Sequence, residues 1–580
     1  MNSHGTTSLW TVLDRIQSRA IDEGAEPERD NGQRIPGFRH FLGDPQARQQ
    51  FAIDGVPFDP KDLGQRARAE GLMEKLAAVM RAETPPTQPP PRGFNTDIPS
   101  GYTYFLQLIA HDLVESSLFL SRNQSSTIGL SNVRSKPLQL ETIFGGGPIQ
   151  CPYAYEASAS GFRDRLRLGR IRKKDGPYDD NGDRRDIARA RATEVRQDMY
   201  PEALIADARN DSHAILSQIV VMFHHFQNKI LESLEANERL RERQFADPQR
   251  KFVATQAACA LIYRSIIRHD ILAKILHPEV RAGYESGAIQ VVDPPRELDS
   301  GRWSAPLEFC FGFFRFGHAM IRGKYSFNPK ELIRDSGGFE LTFILQHTSE
   351  KGASMMPFED VWTIDWEQFF GSDPATTNFS VRIGPWTRAD LEKAVQENDS
   401  APGLIMRDLT SSIATQPWSV RALAERLSNT HGELLRLSPY LAGALDDAKN
   451  PPWFTDMSRW LSDRRSPLGL SLDDNDIRTL ATDPPIPFFA RFEAGVDPDI
   501  FGKHLGVLTS IVVADVIYGI FQNDRILGVD GNQDLAGQLQ QASRVVFNGE
   551  PNAFSGLEGL TTVRNLIDFL GDRIKFPAGG

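Results

Sequence analysis

Apolar residues recur at i, i+3, i+4 and i+7 in one stretch of this chain after another. That period suits an α-helix with one buried face and little else. The stretches are Tyr102–Leu120, Ser212–Leu234, Lys251–Leu276, Leu307–Arg322, Arg388–Glu397, Val420–Leu427 and Val507–Phe521, with a further helical run at Asp62–Ala82. Alternation of period two is short and scattered, best at Gly338–Leu345 and Ala288–Val292. No internal repeat is visible. The expectation is a mainly α fold with few short strands, its core running from about 95 to 525. The polyproline run from Thr84 to Arg92 is too stiff and too poor in donors for a core element. It ends an N-terminal extension (1–95), followed by one large domain (96–525) and a tail (526–580).

Composition narrows the function classes. Lys and Arg number 65 against 76 Asp and Glu, a formal charge of −11, which argues against wrapping a phosphate backbone. The basic stretch near 163–173 reads as a solvated face. Cys151, Cys259 and Cys310 are odd in number and far apart, so neither a disulfide framework nor a zinc-type pair is expected. The first residues lack a basic segment followed by an apolar run, so no secretory signal is seen and a cytoplasmic location is the default. Gly506–Phe521 is the most apolar segment, but it is short for a membrane span and contains Asp515. No transmembrane segment is expected.

Three polar constellations interrupt apolar helices. Gln107 and His111 stand four apart on one face of Tyr102–Leu120, with Asp112 beside them. Two polar groups on a buried face must share partners or line a cavity, because each unsatisfied group costs about 1–3 kcal/mol. Asp207, Arg209, Asn210 and Asp211 precede the helix Ser212–Leu234, where Asn210 or Asp211 could simply cap it. Glu308–Ile321 carries five phenylalanines before His318, with Phe311, Phe314, His318 and Ile321 on one helical stripe. A histidine on such a wall suits ligation of a flat apolar cofactor, whose metal would satisfy the buried nitrogen.

Gln107-x-x-x-His111-Asp112, then Asp207-x-Arg209, then Phe314-Arg315-Phe316-Gly317-His318 resemble the signatures of the animal-type haem peroxidase superfamily. That superfamily includes cyclooxygenases, α-dioxygenases and many bacterial members. Thr142–Pro148 with Pro152-Tyr153 is similar to a loop of the bacterial members, and Gly502–Asp524, with His504, to their C-terminal helix. The likeness spans about 100–525 and implies a single helical haem-peroxidase domain. It implies a peroxidase that reduces hydrogen peroxide and oxidises a small organic or halide donor, with haem b as cofactor. His111 would be the distal acid–base group, Arg209 the distal cation and Gln107 the distal hydrogen-bonding amide. His318 would bind the haem iron. Asp408 falls where the family has an Asn that accepts the proximal imidazole N–H, and a carboxylate there would make the ligand more anionic. Arg315 lies three residues before His318, where the oxygenases carry a tyrosine, so the peroxidase reading is preferred to a fatty-acid oxygenase.

Departures from the family carry their own expectations. The two ester anchors to haem are replaced by Ala110 and Ser212, so non-covalent haem b is expected. Asp112 matches a calcium ligand, but Gln139 stands where the accompanying loop has an Asp, which weighs against calcium. Ser411, Ser412 and Ile413 replace an Arg-Gly-Arg that meets a haem propionate. Two other readings compete: a helical scaffold descended from peroxidases without haem, and an HD-type metal phosphohydrolase built on His224, His225, His269 and Asp270.

Overall fold

The computed structural model describes residues 37–81, 93–118, 130–157, 161–172, 184–190, 202–242, 246–295, 303–329, 338–352, 355–388, 391–392, 403–443, 445, 450–464, 471–548 and 553–576. The architecture is mainly α, and among the described residues every sheet is a two-stranded pairing. The helices used below are α1 (Leu63–Arg81), α2 (Gly101–Leu113), α3 (Ala214–Ala236), α4 (Pro248–Ile266), α5 (Leu404–Ala414), α6 (Val420–Leu435), α7 (Asp474–Thr482), α8 (Ile486–Val496), α9 (Val507–Asn523), α10 (Leu535–Phe547) and α11 (Val563–Leu570).

Local chemistry sets the helix ends. The His213 side chain accepts from the Leu216 amide to start α3, and Asp247 caps α4 with Pro248 at its first position. The helix expected over Tyr102–Leu120 stops at Leu113. There Asn132 donates to the Leu113 carbonyl (3.2 Å) and accepts from the Glu115 amide (3.0 Å), turning the chain into a strand pair, Ser116–Leu118 with Leu130–Asn132. Lys251–Leu276 is helical as far as Ile275, but Ile267–Ile271 winds as a π-helix. Leu307–Arg322 is helical yet irregular, a π-turn over Glu308–Gly312 followed by a 3-10 helix over Phe313–Met320. Of the two strand candidates, Gly338–Leu345 yields only Phe339–Glu340, paired with Lys324–Tyr325, before a helical turn. Ala288–Val292 is not a strand, because its last amide and the next bond a side chain, the Asp515 carboxylate, instead of a second strand. The helix expected over Arg388–Glu397 falls mostly outside the described residues.

One contiguous apolar core runs from Phe38 to Ile574, wider than the expected 95–525 at both ends. Helix α3 packs on α2 and α4, α1 on α5, α5 on α8, and α8 on the Phe313–Met320 segment. Helices α10 and α11 close over α4 and α3. The N-terminal part is tied in by backbone pairing of Phe38–Arg39 with Ala305–Pro306 and by buried Glu308, which accepts from the Phe41 and Trp418 amides and meets His40. The basic stretch forms surface ion pairs, Arg165 with Glu232 and Glu235 and Arg172 with Glu359. No helix among the described residues is long and apolar enough to cross a membrane.

Candidate functional site

Helix α2 carries a first group of candidate residues. The Nδ1 of buried His111 lies 3.0 Å from the Asn210 side-chain oxygen, while the Asn210 amide donates to the Thr142 carbonyl (3.0 Å). That orientation makes Nδ1 the protonated nitrogen and leaves Nε2 with the lone pair. Burial, reinforced by the Arg209 charge, pushes the His111 imidazole down to about 3. One turn earlier, the Gln107 oxygen lies 2.9 Å from His213 Nε2 and its nitrogen 3.5 Å from Ser212 Oγ. Because His213 Nδ1 accepts from the Leu216 amide, its Nε2 carries the proton toward Gln107. His213 and Asn210 were not assigned site roles from the sequence. An imidazole at the cap of the long helix was the available signal for His213.

Arg209 sits beside His111, as the motif order suggested, but its guanidinium is committed to protein atoms. It bonds Asp207 (3.0 and 2.7 Å), the Val114 carbonyl (2.7 Å) and the His111 carbonyl (2.9 Å). Arg134 joins it, bonding the same His111 carbonyl (2.9 Å) and the Asp207 carboxylate. Burial alone would raise Asp207; Arg209 and Arg134 outweigh it and hold the carboxyl below the usual range.

Asp112 does not present a metal site. Its two oxygens accept from the Leu140 and Thr142 amides (2.9 and 3.0 Å), and burial pushes its carboxyl up to about 6. Arg264 bonds the Pro137 and Leu138 carbonyls (2.9 and 3.0 Å) and pairs with Asp524, which Gln139 also meets at 2.7 Å. Calcium takes six to eight oxygens. The loop oxygens that could contribute are engaged by a guanidinium, so the residues present do not fit calcium.

A second group of candidate residues lies on the Phe313–Met320 segment, which packs on α2. His318 Nδ1 lies 2.8 Å from Asp408 Oδ2, and the same oxygen accepts from Arg491 at 2.7 Å. Arg315 Nη1 stands 3.8 Å from the other oxygen, while its Nε donates to the Cys310 carbonyl (3.0 Å). Burial would raise the Asp408 carboxyl, but His318 and then Arg491 hold it below the ordinary range. The Asp408 side chain is 1% exposed and the His318 side chain 28%. His318 Nε2 has no bonding partner among the described residues, and a Cβ added at the adjacent Gly317 would meet nothing within 4 Å. An imidazole anchored through Nδ1, a second nitrogen without a bonding partner among the described residues and open space at Gly317 suit a residue that could hold the iron of a haem-type cofactor. Phe314 stacks on Phe309 (4.6 Å) and meets Phe316 edge-on, forming an aromatic wall, whereas Phe311 turns to Phe38 in the core. The irregular winding thus splits the expected stripe. Arg491, in the apolar helix α8, went unassigned in the sequence; a lone arginine–glutamate pair there was its signal.

The residues of the phosphohydrolase reading do not converge. His224 and His225 bond the Arg167 and Arg184 carbonyls (2.8 and 2.7 Å), Asp270 accepts from Tyr102 and the Val563 amide (both 2.9 Å), and His269 is exposed.

No protein-family model matches the chain, and no curated protein matches it in sequence. Solved structures do. Peroxidase A from Dictyostelium discoideum superposes with a TM-score of 0.53 at 10% identity, covering 94% of this chain and 99% of that one. A variant of the fatty acid alpha-dioxygenase of Oryza sativa, with palmitic acid, gives 0.50 at 11% identity, covering 98% and 90%. At such identity the likeness is one of fold.

Proposed function

We propose that this chain, which has the fold of the animal-type haem peroxidases, is a haem-dependent oxidoreductase that reduces hydrogen peroxide and oxidises a small donor, organic or halide. The observation that carries the reading is His318: its Nδ1 is held by Asp408, its side chain is partly exposed, and its Nε2 has no bonding partner among the described residues. In this reading His318 holds haem b through Nε2, and the haem supplies the redox chemistry. His111 would serve as the acid–base group. Its neutral Nε2 takes a proton from the peroxide and returns it to the departing oxygen, and the Asn210 bond keeps that nitrogen aimed. Gln107, oriented by His213, offers its amide to water or a halide. Arg209 places a fixed charge beside the base and holds the end of α2 in register. Arg315 is the partner of Asp408 instead of a radical-bearing residue, which favours peroxidase over oxygenase.

Titration of the purified protein with haem b, followed by absorption near 400 nm, tests the reading. Stoichiometric uptake that is lost in His318→Ala, with helical content unchanged, is expected. If His318→Ala retains the haem and spectrum of the parent, the assignment of His318 as the residue holding haem is wrong. If the parent itself takes up no haem, the scaffold reading replaces it.

A further inference from the structure

We infer that Arg491 neutralises Asp408, so that the carboxylate beside His318 acts as an uncharged acceptor. The redox part of this inference rests on the haem reading above; the ion-pair part does not.

Both His318 and Arg491 address the same Asp408 oxygen, at 2.8 and 2.7 Å. Arg491 is 1% exposed, and its only bonds among the described residues are to Asp408 and to the Arg315 carbonyl (3.2 Å). Its Nε and Nη1 are buried without partners. A guanidinium cannot shed its charge by deprotonation, so a dry site must supply a counter-charge. Glu392 is within electrostatic range, but its carboxylate accepts from the Ile405 amide (2.9 Å) and makes no bond to the guanidinium. Asp408 is therefore the committed counter-ion. Arg315, 3.8 Å from the second oxygen, adds to the same effect.

A carboxylate alone would draw the Nδ1 proton and make the imidazole strongly anionic. A carboxylate already paired with a fixed cation draws it far less. Asp408 with Arg491 then does the electrostatic work of a neutral amide at this position. Arg491 is a positioning residue: it bonds Asp408 and not His318. One consequence runs against intuition. Asp408→Asn, which installs a neutral acceptor directly, should be harmful because it strands a buried cation.

The test is a cycle of Asp408→Asn, Arg491→Met and the double variant. Melting of the haem-free proteins is measured together with the ferric–ferrous balance of the loaded proteins at a fixed solution potential. Each single substitution should lower the melting temperature by several degrees, and the double should recover at least half of the summed loss. In the loaded proteins, Arg491→Met should shift the balance toward ferric by about tenfold or more, Asp408→Asn toward ferrous, and the double should lie near the parent. Where a single variant does not fold, the double against the parent decides: a folded, near-parental double supports the pair, and a double that also fails overturns it. Additive melting losses with no recovery overturn it, as does an unmoved redox balance in Arg491→Met. A parent that binds no haem refutes the haem reading and leaves the pairing to stand or fall on melting alone.

Discussion

His111 is buried and neutral over almost the whole range in which an enzyme works, since its imidazole is pushed down to about 3. A general base must be unprotonated to accept a proton, so the peroxide reaction should not show the inflection near pH 6.5 of an ordinary histidine. The rate of reaction of the haem-loaded protein with hydrogen peroxide should stay flat from pH 8 to about 4 and fall only toward pH 3. His111→Ala should slow it by about 10²–10⁴-fold at pH 7. An inflection near 6.5 that disappears in that variant would show that burial does not depress this group. Residues 110 and 212 carry a second expectation. Ala110 has no carboxyl, and Ser212 is engaged with Gln107 at 3.5 Å. Glu115, another acid near Ala110 in sequence, pairs with Arg134 at 3.2 Å. Acidified organic solvent should extract all the haem unmodified, and mass spectrometry of the denatured chain should show no haem adduct.

Among elements, the loop that follows the second strand of the Ser116–Leu118 pair is held from both sides by protein groups. Asp112 on α2 takes its amides, and Arg264 on α4 takes its carbonyls. Arg264 is buried although its partner Asp524 is partly exposed, and Arg264→Met also strips the bonds to the Pro137 and Leu138 carbonyls, so it should lower the melting temperature clearly. A calcium chelator should leave the parent's melting unchanged. Stabilisation of the parent by added calcium would mean that the loop has ligands to spare.

At the scale of the molecule, the segment before the polyproline run is part of the core. Phe41, Leu72, Met73 and Leu76 are fully buried in the same cluster as α8 and α9. Asp483, just past the end of α7, secures this segment by accepting from the Ala52 amide at 2.6 Å, and burial pushes its carboxyl up to about 8. The unfolded chain ionises this carboxyl near 3.8 and the folded one only near 8. Its favourable contribution is therefore complete below about pH 4 and lost progressively as the pH rises to about 8. Asp483→Asn keeps an acceptor for Ala52 and never ionises. It should match the parent near pH 4 and melt progressively higher than the parent toward pH 8, by up to about 1.4 kcal/mol per pH unit. Parallel melting curves of the two proteins across pH 4–8 would contradict the assignment.

Helix periodicity is local, and α2, α3, α4 and α9 were legible from it because each buries a face set by neighbours three and four residues away. The same locality marked His111, Arg209 and His318 as polar breaks in apolar runs, and their order along the chain carried the resemblance. The end of α2 was not legible, because Asn132 caps it from a separate strand. Nor was the width of the core, since Phe38–Met80 and Leu535–Ile574 join it only through contacts with remote helices. Only the tertiary structure brought Arg491 onto the Asp408 oxygen that holds His318, and Arg264 onto the loop beside Asp112. The reason is physical. Periodicity depends on the covalent spacing of the chain, whereas a buried charge is answered by whichever opposite charge the packing delivers, however distant in sequence.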